Sequence, residues 1–435
     1  MTLALPPELL SKIFLLSVSK PVQIPVVPYE APWNVSLVCS KWRYVALKTP
    51  RLWNEIHVSI DCCSVETEEI CGTMVDEALL FLLRAGSTPI SLVLEAEEDI
   101  DDFAPHACRT VLFSMMDYFH QFQSLSLVPI EQFGFLPQFG LDWGRVTILE
   151  SLALTFSSGS PLSINGRDQP PAHCLKGFEH AHSLHTLLIS SDHAHLELQV
   201  FTLPWSQLTR LAFNQTTIPF TEGHLVLRQC VNLVSLRLGI TSNDECDLSH
   251  PDTLLPHLES LTIFVDMEDE YGQFLEPFVL PSLKCLEIES EDESIWPDEA
   301  SGMLRADSLQ NLEQLKVTHM EPAAVHAFLV DTPSLIRLSI HSLSSSDTVE
   351  ELTEAIGDGD LVPLLQVLEC DASMADSLPH ILEARAKVAS QEDSRFATIR
   401  SVIIYGNLTD TSTNESLTLF HSQGVDVEYR DVEED

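Results

Sequence analysis

Apolar positions recur along this chain at a fixed interval. "LHTLLI" from Leu184, "LTRLAF" from Leu208, "LVSLRL" from Leu233, "LESLTI" from Leu258 and "LKCLEI" from Leu283 all read L-x-x-L-x-Φ, with starts 24, 25, 25 and 25 residues apart. The series continues as "LEQLKV" from Leu312, "LIRLSI" from Leu335, "LQVLEC" from Leu365 and "IRSVII" from Ile399, and upstream as "LESLAL" from Leu149 and "FQSLSL" from Phe122. In each copy the second and third apolar residues are two apart, so both point to one face of a short strand. The first lies three residues back and enters the same core from the preceding turn. One such unit cannot bury its apolar face by itself. Stacked neighbours can, and the product is a solenoid.

The pattern resembles leucine-rich repeats, whose period covers the same range. It departs from them at the turn. Five residues after the second leucine, where such repeats carry Asn or Cys, stand Asp192, Thr216, Thr241, Asp266 and Glu291. Side chains of this kind can still tie down a turn through Asx and hydroxyl hydrogen bonds. Two further segments, "IHVSI" (56–60) and "ISLVL" (90–94), alternate apolar and polar residues as half-buried strands do. With them, about thirteen parallel strands are expected to line one curved sheet. Between the two, residues 75–86 predict a helix with Val75, Leu79, Leu82 and Leu83 on one face and Gly86 as its stop. A second helix is predicted over 106–122.

The first fifty or so residues do not fit the repeat. "LPPELLSKIFLLSV" (5–18) predicts a helix, with prolines where the first-turn N–H groups need no partner and Glu8 near the positive end. Residues 20–32 hold four prolines and predict an extended loop. From Trp33 to Lys48 the chain is expected to be helical again, broken near Cys39–Ser40 and ended by Pro50.

Leu5, Pro6, Glu8, Leu9, Ile13 and Phe14, followed by Leu37, Val38, Cys39, Trp42 and Arg43, resemble the F-box, and the run "LKTPRLWNEI" resembles F-box proteins of fungi that pair this module with leucine-rich repeats. The resemblance covers about residues 4–56, with a proline-rich insertion at 19–32. It implies a three-helix hook that docks on the Skp-family adaptor of a cullin–RING ubiquitin ligase. On that reading Leu5, Pro6, Leu9, Ile13, Phe14, Leu37, Val38, Cys39 and Trp42 supply the adaptor-binding face. The same helices also fit the cap that a solenoid needs at its end. Trp53 and Ile56 are expected to pack against the first repeat.

Charge narrows the choice of partners. There are 65 acidic residues against 23 basic ones, a net charge of −42. Such a surface repels phosphate backbones and anionic membranes, so neither nucleic acid nor membrane is an expected partner. No stretch of 18 apolar residues occurs, and "MTLALPPELL" lacks the basic start of a signal peptide. An intracellular place, cytoplasmic or nuclear, follows as the expectation, with the ten scattered cysteines reduced.

Catalytic chemistry finds little support. Phosphate-loop, nucleophile-elbow and H-E-x-x-H motifs are missing from the sequence. His173, Cys174, His180, His182, His185, His193 and His195 cluster in sequence but lack a closely spaced cysteine pair. They read as loop and helix histidines, and Cys62, Cys63 and Cys71 as small apolar or loop residues. The acid runs at 95–102, 266–270 and 287–299 read as solvated loops. No catalytic residue, metal or cofactor is expected.

The expectation is therefore an α/β chain with two parts. Residues 1–56 form the F-box-like module, and 57–435 form a leucine-rich-repeat solenoid with an acidic C-terminal tail. Positions between the paired apolar residues face outward on the sheet, and extended faces of this kind bind proteins. Arg210, Arg237, Thr262, Glu287, Glu289, Lys316, Arg337 and His341 are the candidate substrate contacts. The implied function is the non-catalytic, substrate-recognising subunit of the ligase. The alternative is a repeat scaffold that binds proteins without ubiquitin ligation.

Overall fold

The computed structural model describes residues 5–60, 68–96, 110–128, 146–156, 176–191, 198, 203–241, 252–265, 275, 277–290, 304–342, 348–390, 396–406, 420–421 and 424–430. It divides into two compact units, Met1–Thr216 and Thr217–Asp435.

Unit 1 opens with three short helices, α1 (Pro7–Ser17), α2 (Trp33–Leu37) and α3 (Ser40–Leu47). Proline sits in the first turn of α1, where a missing N–H is no loss. The break between α2 and α3 falls at Val38–Cys39. There the Cys39 backbone is extended, and its Sγ accepts the Trp42 N–H at 3.5 Å as the cap of α3.

Seven parallel strands follow the chain through this unit: β1 (Val22–Ile24), β2 (Glu55–Ile60), β3 (Ile90–Ala96), β4 (Phe122–Val128), β5 (Ser151–Phe156), β6 (Thr186–Ser191) and β7 (Arg210–Pro219). Strand β1 corrects the sequence reading, because it lies inside the proline-rich insertion expected to be a loop. Val22 stands opposite Ile56 and Ile24 opposite Val58, and both β1 residues are buried. Three residues between Pro21 and Pro25 suffice at a sheet edge, where a proline has no ladder bond to donate. The sheet thus begins within the N-terminal fifty residues.

The first repeat carries helix α4 (Glu68–Ala85), longer than the predicted 75–86 at its start and closed by Gly86 at φ +63. Of the helix predicted over 106–122, residues 106–109 lie outside the described part. Met116–Gln121 forms a 3₁₀ turn, and Phe122 already begins β4.

Unit 2 continues with β8 (Ser235–Thr241), β9 (Thr253–Leu254), β10 (Ser260–Val265), β11 (Phe278–Val279), β12 (Cys285–Ser290), β13 (Gln314–Thr318), β14 (Arg337–His341), β15 (Val367–Asp371), β16 (Ser401–Tyr405) and β17 (Asp426–Arg430). Strands β9 and β11 pair with each other; the other eight follow chain order as neighbours in one parallel sheet. Like β1, β9 and β11, β17 is a strand that the repeat pattern does not announce. Helices Phe220–Leu227, Pro322–Val330, Thr348–Asp358 and Leu378–Ala389 lie in the connections.

The register explains why one residue pattern repeats so strictly. Leu236, Leu261, Leu286, Leu315, Leu338, Leu368 and Val402 stand opposite one another across seven strands, and all are buried. Leu238, Ile263, Ile288, Val317, Ile340, Cys370 and Ile404 make a second buried row two residues on. A slip by one residue would turn both rows out to water.

The turns that lead into the strands share one backbone pattern. The carbonyl of Glu259 accepts both Lys284 N–H and Cys285 N–H, and that of Lys284 accepts Glu313 N–H and Gln314 N–H. Glu313, Ile336 and Gln366 repeat the arrangement with the next strand, as do Glu150 and His185 in unit 1. Of the five turn positions singled out in the sequence, Asp192, Asp266 and Glu291 lie outside the described residues, and Thr216 is buried.

Candidate functional site

Two surfaces gather the candidate residues. The first is the outer side of the hook. Successive residues on a helix are about 100° apart, so α1 is split between two faces. Leu10 and Phe14 point inward and are buried, whereas Leu5, Leu9, Ile13 and Leu16 are exposed. Leu37 and Val38 at the α2–α3 break are 58% and 61% exposed. Pro6 and Cys39 are exposed as well.

Two of the nine sequence-derived hook residues have inner roles. Phe14 is fully buried, its ring 5.1 Å from that of Trp42, which is itself half-buried. They hold α1 against α3. Lys41 Nζ donates to the Leu5 carbonyl at 2.8 Å, and Ser11 shares a hydroxyl hydrogen bond with Thr49 at 3.0 Å.

The hook is clasped to the first repeat by aromatic side chains. Trp53 is fully buried, donates its Nε1–H to the Ala46 carbonyl at 2.9 Å and stacks on Phe81 of α4. Ile56 lies in β2 and is buried, so both residues pack where the sequence placed them. Glu77 of α4 accepts the Val26 N–H of the insertion at 3.2 Å, and burial pushes its carboxyl up despite that bond. The Arg84 guanidinium of α4 completes the clasp over the Trp33 and Trp53 rings, and it was not legible in the sequence because nothing in its spacing marks a cation destined for two indole rings.

The second surface is the open face of unit 2. One register row runs Arg237, Thr262, Glu287, Lys316, Ser339, Glu369 from β8 to β15. Neighbours in this row and the rows beside it interlock by charge. Arg237 Nη2 meets Glu289 Oε2 at 2.7 Å, and Arg337 Nη1 meets Glu369 Oε1 at 3.0 Å. Lys316 Nζ binds Glu287 Oε1, and Thr262 Oγ1 donates to Glu287 Oε2 at 3.2 Å. Ser339 Oγ lies 2.8 Å from His341 Nε2 and 3.4 Å from Glu369 Oε2.

Burial and these contacts shift the titration of three of the groups. Burial pushes the Glu287 carboxyl up, but the Lys316 hydrogen bond and charge, Thr262 and Arg237 together hold it below the usual carboxylate range. Glu289 is pushed up by burial, with Arg237 opposing and Glu287 reinforcing the rise. His341 is held low by burial and by the Lys316 charge, against the opposing carboxylates Asp371, Glu369 and Glu287.

Seven of the eight sequence-derived face residues therefore converge in unit 2. Arg210 does not join them: it opens β7 in unit 1, at the end of the row Ser124, Ser151, Thr186. Sequence reasoning missed Ser339, which is buried and bridges His341 and Glu369. Its one signal was its position two residues before His341 on the same strand face.

Of the titratable clusters, His173, Cys174, His193, His195, Cys62 and Cys63 lie outside the described residues. His180 and His182 stand exposed with ring centres 6.4 Å apart, and His185 lies 3.7 Å from Glu150. Among the described residues no three His, Cys, Asp or Glu side chains converge as metal ligands, and no helix is long and apolar enough to cross a membrane.

No family model matches the chain, and no curated protein matches it. Among solved structures it is similar to an LRR protein of Leptospira interrogans, at 9% identity and a TM-score of 0.26, covering 97% of this chain and 98% of that one. Its own strand order and buried leucine rows make the chain a mixed α/β, parallel-sheet solenoid of the leucine-rich-repeat kind.

Proposed function

We propose that this chain is the substrate-recognising subunit of a cullin–RING ubiquitin ligase. The hook docks on a Skp-family adaptor, and the open sheet face binds the protein to be modified. The chain performs no chemistry itself. It raises the effective concentration of its target beside the ligase's charged enzyme. The observation that carries the reading is the split of the hook. Its inner side is packed, yet Leu5, Leu9, Ile13, Leu37 and Val38 leave a set of large aliphatic residues, 41–61% exposed, on fifty residues of chain. Soluble monomers rarely leave such residues together without a partner, and buried aliphatic anchors are common at binding hot spots.

A second reading is a protein-binding repeat scaffold whose hook is only the solenoid's cap. Strand β1 favours it, because the insertion between α1 and α2 supplies the first strand of the sheet. Co-expression with a Skp-family adaptor separates the two. The full chain should co-purify with the adaptor, and Leu37→Asp with Val38→Asp should abolish this without changing the melting temperature. Wild-type chain that never co-purifies leaves the scaffold reading in place.

A further inference from the structure

We propose that the hook receives an acidic surface of the protein that docks on it, with Lys41, Arg43, Lys48 and Arg51 as a cationic rim beside the exposed aliphatic residues. The inference rests on the reading of the hook as a docking module and adds the charge of its partner.

Charge is segregated along the sequence. Residues 1–56 hold six basic and three acidic residues, against 23 and 65 in the whole chain. No acidic residue occurs between Glu30 and Glu55, and all four rim cations fall in that interval.

Helix α3 and the turn after it set these cations outward. Val45 and Ala46 are buried. At about 100° per residue, Lys41, Arg43, Tyr44 and Lys48 then take the opposite side of the helix. All four are exposed, as is Arg51. Lys41 Nζ donates to the Leu5 carbonyl at 2.8 Å, and Arg43 Nε donates to the Ser36 carbonyl at 3.1 Å. These bonds fix one end of the rim to Leu5 and to the residue before Leu37, both of which belong to the exposed aliphatic set. The helix rises about 10 Å from Lys41 to Lys48, well within an interface of about 800 Å² per partner.

The rim lacks internal counter-charges. In unit 2, Arg237, Lys284, Arg305, Lys316, Arg337 and Arg430 each meet a carboxylate. Among the described residues, Lys41, Arg43, Lys48 and Arg51 form no ion pair. Exposed cations without a partner in the fold are what an approaching acidic surface pairs with, and such complementarity steers encounter.

An acidic protein fits better than a polyanion. The net charge of −42 opposes a nucleic acid or an anionic membrane that must extend beyond the hook. A compact partner needs to touch the hook alone. Tyr44 and Leu47, 63% and 39% exposed, also stand on α3 among the cations, and apolar residues edged by charge are the anatomy of a protein interface.

The experiment is surface plasmon resonance of the full chain over a Skp-family adaptor at low and high salt. The screening length falls from about 10 Å at 0.1 M to about 3 Å at 1 M ionic strength. Lys48→Glu with Arg51→Glu should slow association at least about tenfold at the lower salt and less than about threefold at the higher, with dissociation unchanged, because rim charges act on the association rate. Lys48→Arg with Arg51→Lys should match wild type. If the glutamate pair lowers the melting temperature, Lys48→Gln with Arg51→Gln repeats the measurement and should still slow association at the lower salt. Adaptor binding with equal association rates for wild type and both charge-removing pairs rejects the cationic rim and leaves docking in place. Wild type that binds no adaptor rejects the docking reading and the rim together. A labelled single-stranded oligonucleotide, or phosphatidylserine vesicles, bound by wild type and not by the glutamate pair while adaptor association is unchanged, overturns the acidic-protein assignment.

Discussion

The guanidinium of Arg84 lies over the indole of Trp53, 4.4 Å from the ring centre. The same group is 4.7 Å from the Trp33 ring. A cation on the first repeat's helix is thus held between one indole from α2 and one from the turn before β2. The clasp is not free of cost, because Trp33 Nε1 and Arg84 Nη1 are buried without a hydrogen-bond partner. Desolvation also holds the Arg84 guanidinium below its usual range.

Removing the cation should loosen the joint between hook and repeat. Arg84→Ala is expected to destabilise unit 1 by about 1–2 kcal/mol, the upper part of the range for desolvated cation–π contacts. Arg84→Lys should restore less than half, since a compact ammonium cannot stack as a planar guanidinium does. Urea unfolding followed by tryptophan fluorescence measures both. Midpoints equal to wild type for the alanine variant would show that the rings pack without the cation.

Ile13 and Phe14 are adjacent, and both were expected on the adaptor-binding face. The fold puts one outside and one in the core. Phe14→Ala should cost about 3–5 kcal/mol, because the Trp42 ring loses its packing partner. Ile13→Asp should change stability by less than about 0.5 kcal/mol yet abolish adaptor co-purification. Denaturation midpoints and pull-downs on the two variants are the check, and a destabilised Ile13→Asp would place that residue in the core after all.

What was legible in the sequence follows from what repeats. Leu261 and Ile263 announce their strand because the same pair recurs in each unit and buries the same rows. The outward positions Arg237, Glu287 and Lys316 could be named for the same reason, since the strand period fixes which side they take. β1 was hidden because three residues between prolines carry no period. β17 was hidden because its Val427 and Tyr429 are not deeply buried and its segment lacks the leading leucine. Pairings such as Arg84 with Trp33 link residues about fifty apart and leave no local trace.

Arg337 and Glu369 form one ion pair, but the two halves are unequal. Glu369 is 8% exposed and also serves the buried Ser339, whereas the Arg337 side chain is 47% exposed. Glu369→Ala should cost about 1–3 kcal/mol through the unsatisfied groups it leaves. Arg337→Ala should cost at most about 1 kcal/mol, as exposed ion-pair partners do. The order of the two values, read by thermal or chemical unfolding, is the test. A larger loss for Arg337→Ala would mean that the cation, not the carboxylate, anchors the network.

His341 gives the face a pH dependence with a defined sign. Its ring packs edge-on against Tyr405 with centres 5.0 Å apart and shares a hydrogen bond with Ser339. Burial and Lys316 resist a second charge there, while Asp371, Glu369 and Glu287 only partly offset them. The folded imidazole therefore titrates below its unfolded value of about 6.5. As pH falls through that unfolded value, the unfolded chain takes a proton that the folded one resists, so stability declines until the folded value is passed. Glu287 acts in a separate, more acidic window. Its folded carboxyl sits below the ordinary value, so its contribution holds above that range and is lost as pH falls through the folded value. Melting temperatures of wild type and His341→Gln between about pH 7.5 and 5.5 isolate the histidine term. Wild type should lose stability faster than the variant across that interval, and parallel slopes would show that protonating His341 meets no resistance from the face.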